Sequence, residues 1–257
     1  MPDTHTSEAS LEGKVAVLTG VSRQGQVGEA VARSLAEQGA AVVLIDRTGV
    51  EAEARAREIR DGGHHAMAAK ADLTDPAQLD AVARAVKSEF GAVDALVNIA
   101  GGFGMSGKVS ESDPSAWSRL LDIGLTTAYL TTRAFLPLVR ERRGAIVFFA
   151  SAAALPGGRI AGTSAYAVSK AGLIHLTRCM SVALAPHVLV NCVAPGLLEG
   201  TRATANLSQT QIDKSASGSL LKRAADKDDC ADQVVTMCRT ETMTGQTVAI
   251  DAGRVFH

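Results

Sequence analysis

The chain alternates short apolar runs with longer stretches in which apolar residues recur every three or four positions. The runs Val15-Ala16-Val17-Leu18, Ala41-Val42-Val43-Leu44-Ile45, Ala95-Leu96-Val97, Ala145-Ile146-Val147-Phe148-Phe149, Val188-Leu189-Val190 and Thr247-Val248-Ala249-Ile250 are rich in β-branched residues and nearly unbroken in apolar character. Continuous rather than alternating hydrophobicity predicts strands covered on both faces. A weaker strand is predicted near His65 to Lys70, with His64-His65 leading into it. Helices are predicted over about 27–38, 50–61, 76–89, 115–140, 164–185 and 227–238. Regular β-α alternation predicts a parallel sheet with helices on both faces, because parallel neighbours need a crossover between them. No linker or internal repeat interrupts the pattern, so residues 11–257 read as one domain. Residues 1–10, polar at their start, read as a mobile tail.

Composition narrows the functions open to such a fold. At 257 residues the chain is long enough for a substantial core. Its 26 Lys plus Arg against 27 Asp plus Glu provide no concentrated basic surface, which argues against a nucleic-acid partner. With 4% aromatic residues a base-stacking platform is excluded as well. No apolar run approaches the about 20 residues that span a bilayer, so no membrane association is expected. The opening residues lack the basic start and apolar stretch of a secretory signal. Cys179, Cys192, Cys230 and Cys238 form no C-x-x-C pair and no zinc spacing with the histidines. They read as buried small hydrophobes in a reducing cytoplasm, and no metal site is expected.

The first strand ends in Thr19-Gly20 and passes through Val21-Ser22-Arg23-Gln24-Gly25-Gln26-Val27-Gly28 into a helix. Glycines permit a tight turn and close approach of a pyrophosphate, whose charge is favoured at a helix N-terminus. Asp46 closes the second strand, 18 residues after Gly28. A carboxylate there can accept hydrogen bonds from adenosine ribose hydroxyls and repels a 2′-phosphate. Asp72, beside Leu73, follows the third strand and is placed either to bond an adenine amino group or to serve in the N-cap region of the next helix. Asn98-Ile99-Ala100-Gly101 follows the fourth strand, at the carboxyl edge where ligands of doubly wound sheets collect; Asn98 can equally be a turn residue.

Tyr166 and Lys170 stand at i and i+4, on one face of a helix. A phenol with a pKa near ~10 is poorly suited to proton transfer at neutral pH, and a neighbouring cation is expected to draw it down. Ser151, just beyond the fifth strand, can reach the same edge and hold a substrate oxygen; Thr163 and Ser164 are the alternatives.

These segments, with Asn191-x-x-Ala194-Pro195-Gly196 and Thr244-Gly245-Gln246…Asp251-Ala252-Gly253, resemble the short-chain dehydrogenase/reductase family over nearly the whole chain. The resemblance implies a single-domain Rossmann-like, doubly wound α/β fold of about seven strands. It implies hydride transfer between a nicotinamide cofactor and a carbonyl or secondary-alcohol substrate, and Asp46 points to NAD rather than NADP. Tyr166 would be the acid/base, Lys170 would bind the nicotinamide ribose, and Ser151 would polarise the carbonyl. The cofactor would be held by Gly20, Ser22, Arg23, Gly25, Val27, Gly28, Asp46, Asp72, Leu73, Asn98, Ala100, Gly101, Tyr166, Lys170, Pro195, Gly196, Leu198 and Thr201. Substrate recognition would come from Gly102–Ser110, Ala154–Ser164 and Leu197–Arg223. Apolar residues beyond one buried stripe, among them Leu120, Leu121, Leu125, Leu130, Phe135, Leu136, Leu173, Ile174, Leu176 and Leu184, call for a second partner, and the resemblance implies that the long helices pair in a homotetramer or homodimer. Two other readings stand beside this one: a nonenzymatic nucleotide-binding or regulatory protein, and an NADP-linked reductase favoured by Arg23 and Arg47.

The chain also departs from the family pattern. Gln26 replaces the middle glycine, and Ile99 replaces the second Asn of Asn-Asn-Ala-Gly. Ser151 stands 15 residues before Tyr166, a wider gap than usual. Gly124 replaces a structural and proton-relay Asn. An Asn restored at 124 is expected to leave turnover unchanged or raise it, since glycine reads as spare room in a bent helix.

Overall fold

The computed structural model describes residues 11–21, 23–158, 161–201, 204–205 and 207–256; the predicted tail 1–10 and Ser22 lie outside them. Seven strands form one sheet: β1 (Val15–Thr19), β2 (Ala41–Asp46), β3 (Ala66–Lys70), β4 (Ala95–Asn98), β5 (Ala145–Phe149), β6 (Leu189–Pro195) and β7 (Thr247–Ile250). Their order is β3-β2-β1-β4-β5-β6-β7, and every pairing is parallel. β1, β4 and β5 are buried at every residue, as unbroken apolar runs require when helices cover both faces. β3 is only partly buried, because it is an edge strand, and that accounts for its weak pattern. The chain reverses its direction of travel across the sheet between β1 and β4, which opens a crevice beyond their carboxyl ends.

The helices are α1 (Val27–Glu37), α2 (Gly49–Asp61), α3 (Pro76–Phe90), α4 (Pro114–Leu121), α5 (Thr127–Arg142), α6 (Ser164–Leu184), α7 (Gln209–Ser217) and α8 (Lys227–Arg239). α3 starts with Asp75 as N-cap, accepting from the amides of Ala77 and Gln78, and with Pro76 at its first position. α7 was not anticipated; its signature is the capping box between Ser208 and Gln211. The single helix expected over 115–140 is interrupted. Asp122–Thr126 form one π-helical turn, with the Thr127 amide donating to the carbonyl of Asp122 five residues back.

Two expectations are corrected by the packing. Most of the apolar residues read as surplus are used within this chain: Leu120, Phe135, Leu173, Ile174 and Leu184 are at most 7% exposed, and Leu125, Leu130, Leu136 and Leu176, partly buried, pack against the core, while Leu121 stays partly exposed outside it. The apolar residues these helices present outward are instead Trp117, Tyr129, Val168 and Val182. Of the cysteines, Cys192 and Cys230 are buried, but Cys179 is exposed on α6. Among the described residues no helix is long and apolar enough to cross a membrane, and no three His, Cys, Asp or Glu side chains gather as a metal site.

Candidate active site

The crevice at the β1/β4 switch is shaped by backbone proximity. Gly20 has φ +74°, and a Cβ on it would lie 2.6 Å from the Cα of Ala100. One on Gly28 would lie 2.3 Å from the carbonyl oxygen of Gly20. These two glycines let the loop after β1 fold flat against both α1 and the loop after β4. Thr19 ties the loops together, its Oγ1 accepting the Ala100 amide at 3.2 Å. The middle of the loop, at Gly25, is held by residues that sequence reasoning did not single out. Glu29, in the first turn of α1, accepts the Gly25 amide and lies 3.8 Å from the guanidinium of Arg55 on α2. Lys227 of α8 donates to the Gly25 carbonyl at 3.5 Å.

Around the crevice, Asp46 ends β2 partly exposed, with Oδ1 accepting the Thr48 amide at 3.1 Å; Arg47, the next residue, and Arg23, in the loop after β1, are exposed. Asp72 does not cap α3, a role that Asp75 fills. Its Oδ1 accepts the amide and hydroxyl of Thr74, and the hydroxyl bond leads in holding its pKa below the ordinary value. Leu73 and Leu198 bury their side chains in the core, and Val27 packs against it. Asn98 is 2% exposed; its Nδ2 donates to Thr132 at 3.2 Å, while its buried Oδ1 has no partner. Gly196 presses on Asp251, whose backbone a Cβ would meet at 2.9 Å. Thr201 is buried, and its hydroxyl donates to the Leu198 carbonyl at 2.8 Å.

Several remaining motif residues are structural clamps. Asn191 on β6 donates to the Met243 carbonyl at 2.7 Å and accepts the Gln246 amide at 3.1 Å. Asp251 accepts the amides of Gly253, Arg254 and Val255. Asn191 ties the early part of β6 to the segment leading into β7, and Asp251 fixes the turn beyond the carboxyl end of β7.

At the other side of the crevice α6 delivers Tyr166 and Lys170 on one face. The phenol of Tyr166 is hydrogen-bonded with the hydroxyl of Ser151, which also accepts the Ala153 amide at 3.2 Å. Ser151 therefore has the place expected of it despite the wide spacing, absorbed by the turn over Ala152–Ala154. Thr163 is buried, and Ser164 pairs with Ser106 at 3.1 Å. Lys170 is 4% exposed, and its Nζ donates to the Phe149 carbonyl at 2.7 Å. It lies so near Gly101 that a Cβ there would be 3.0 Å from Nζ. Burial lowers the Lys170 pKa to about 8. The expected lowering of Tyr166 is not met. Burial raises its pKa, and the Ser151 hydrogen bond offsets this only in part. At neutral pH Tyr166 is a protonated phenol.

Gly124 is not spare room. A Cβ there would lie 2.5 Å from Oγ and 3.0 Å from Cβ of Ser169. Ser169 is fully buried, and its hydroxyl donates to the Tyr166 carbonyl at 2.7 Å. The π turn thus sits directly on the turn of α6 that carries Tyr166 and Lys170. A cavity of about 410 Å³ opens between the turn at Ala153 and the start of α6, lined by small residues, among them Ala153, Gly162, Thr163, Ser164 and Ala167.

The family model described as enoyl-(acyl carrier protein) reductase matches residues 20–254. The chain is 34% identical to a 3-oxoacyl-(acyl-carrier-protein) reductase of Vibrio cholerae, across 95% of this chain and 98% of that one. It is 33% identical to a galactitol 2-dehydrogenase of Rhizobium johnstonii, across 95% of each. Among solved structures it is similar to a gluconate 5-dehydrogenase from Burkholderia cenocepacia in complex with NADP and tartrate. There the TM-score is 0.89 at 27% identity, covering 95% of this chain and 96% of that one.

Proposed function

Because the chain belongs to the short-chain dehydrogenase/reductase family of oxidoreductases, we propose that it moves a hydride between NAD(H) and a carbonyl/secondary-alcohol pair. The observation that carries this reading is the hydrogen-bonded pair of Tyr166 and Ser151 hydroxyls, with the buried Lys170 one helical turn below. The residues present fit a dinucleotide. A glycine-floored crevice leads to a helix N-terminus, a carboxylate closes β2, and the hydroxyl pair stands across the switch point. Gly20, Arg23, Gly25, Val27, Gly28 and Ser22 would line the pyrophosphate and ribose end. Asp46 would take the ribose hydroxyls, Asp72 and Leu73 the adenine end, and Asn98, Ala100 and Gly101 the span between. Lys170, Pro195, Gly196, Leu198 and Thr201 would hold the nicotinamide end. When bound, the nicotinamide supplies or takes up the hydride.

The chain's own part is proton handling and placement. A substrate oxygen between the two hydroxyls accepts a hydrogen bond from each. In reduction the protonated Tyr166 gives its proton to that oxygen; in oxidation the phenolate takes it back. Ser151 fixes the oxygen and stabilises the negative charge that develops on it. The Lys170 ammonium, anchored on Phe149, favours the phenolate once it forms. Asp46 favours NAD(H), since its charge opposes a 2′-phosphate; the NADP-bound gluconate 5-dehydrogenase keeps NADP(H) as the second reading. The outward Trp117, Tyr129, Val168 and Val182 support assembly as a homotetramer or homodimer. We place this single domain, residues 11–257, in the cytoplasm.

Tyr166→Phe tests the assignment. It keeps the ring and removes the titratable hydroxyl, so turnover should fall by about 10²-fold or more while NADH binding persists. Near-normal turnover would remove Tyr166 from the mechanism. Ser151→Ala should lower turnover as well.

A further inference from the structure

Phe103 stands in Gly101-Gly102-Phe103-Gly104, a loop pressed onto the start of the long helical segment. A Cβ at Gly102 would lie 2.8 Å from Cδ1 of Ile123 in the π turn, and one at Gly104 would lie 2.7 Å from Cδ2 of Leu120 on α4. With both neighbours seated on these side chains, the ring of Phe103 is placed against Tyr166. The two ring centroids are 5.2 Å apart at an interplanar angle of 73°, an edge-to-face contact. Phe103 nevertheless remains 40% exposed, and Met105 next along the loop is 59% exposed. The methyl group of Met105 reaches the other side of the site, 3.0 Å from where a Cβ on Gly162 would be. An aromatic ring that only braced Tyr166 would have no need of so open a remainder. The surface this loop leaves open beside the Tyr166 ring is therefore apolar at Phe103 and Met105.

We propose that Phe103 is a substrate-contacting specificity residue. Its exposed ring surface forms an apolar wall beside the Tyr166 and Ser151 hydroxyls. It selects carbonyl or alcohol substrates that carry an uncharged, ring-sized apolar substituent at the reacting carbon. This rests on the hydride-transfer reading above and adds the substrate class to it. Burying the remaining ring surface against an apolar substituent rewards that class alone, while a small ketone leaves it wet. An isolated aromatic between glycines is the sequence signal for it.

The test measures NADH-driven reduction of acetophenone and of 2-butanone, and oxidation of the matching secondary alcohols. The wild type should show kcat/KM at least about ten-fold higher for the phenyl substrate, about 1.4 kcal/mol. Phe103→Ala should lose that preference, its kcat/KM falling about ten-fold further on acetophenone than on 2-butanone, and Phe103→Leu should fall between. NADH affinity, read by fluorescence, should stay unchanged in both variants. An equal loss on both ketones would assign Phe103 to holding Tyr166 alone and overturn the proposal. So would an unchanged phenyl preference. Saturation-transfer NMR of acetophenone on the NADH complex separates the two levels. Binding that depends on Phe103 without any turnover keeps the wall and discards the chemistry. Neither binding nor turnover overturns both.

Discussion

Replacing Gly124 by alanine adds one methyl group at the point where the π turn meets α6. The added carbon would start 2.5 Å from Ser169 Oγ and 3.0 Å from Ser169 Cβ, well inside van der Waals contact. Rotating the Ser169 hydroxyl relieves only the first contact, and it breaks the 2.7 Å bond to the Tyr166 carbonyl. Overpacking of this kind costs ~1–3 kcal/mol, and the lost hydrogen bond in a buried place about 1 kcal/mol more. Alanine's better helix propensity returns at most about 1 kcal/mol. The net is about 1–3 kcal/mol of destabilisation, or roughly 3–10 °C in thermal midpoint for a chain of this size. Asparagine should cost more than alanine, the reverse of what glycine in a bent helix suggests from sequence. Thermal unfolding followed by circular dichroism measures the effect. The pair Gly124→Ala with Ser169→Gly should recover part of the loss, since it removes both contacting atoms, and the double-mutant cycle gives the coupling. A Gly124→Ala midpoint equal to or above wild type would refute the packing argument.

Because burial raises the Tyr166 pKa, the phenolate fraction grows only as pH climbs above neutral. Alcohol oxidation should therefore increase with pH through the alkaline range while ketone reduction stays level near neutrality; pH profiles of kcat/KM in both directions check this. Lys170 is held at about 8 against an ordinary 10.5, so between those values the unfolded chain binds more protons. Its contribution to stability must rise as pH climbs from about 8 to 10.5, by on the order of 3 kcal/mol, and Lys170→Met should flatten that rise in urea titrations. Asp46→Ala should narrow the preference for NADH over NADPH in fluorescence titrations; tighter NADPH binding by the wild type would mean that Arg23 or Arg47 outweighs Asp46.

Local pattern was enough for the sheet and most of its helices. Unbroken apolar runs have to be covered on both faces, and β-α alternation has to run parallel, whatever the rest of the chain does. Tyr166 and Lys170 share a helix face because 3.6 residues per turn places i and i+4 together. Ser151 was proposed from its place after a strand, and it lies against Tyr166 even though its spacing to that residue is unusual. What remained hidden depends on residues far apart in the chain. The π turn reflects Gly124 lying against Ser169, and no local period encodes a contact between residues in different helices. The direction of the Tyr166 pKa was misread because its cation is visible in the sequence while the burial around it is not; burial outweighs the Ser151 hydrogen bond, and Lys170 spends a hydrogen bond on Phe149. Leu120, Phe135, Leu173, Ile174 and Leu184, read as part of an assembly surface, face this chain's own core, since the number of apolar residues is a property of sequence but their direction is a property of packing. Phe103 is an ordinary loop residue until tertiary structure sets its ring against Tyr166.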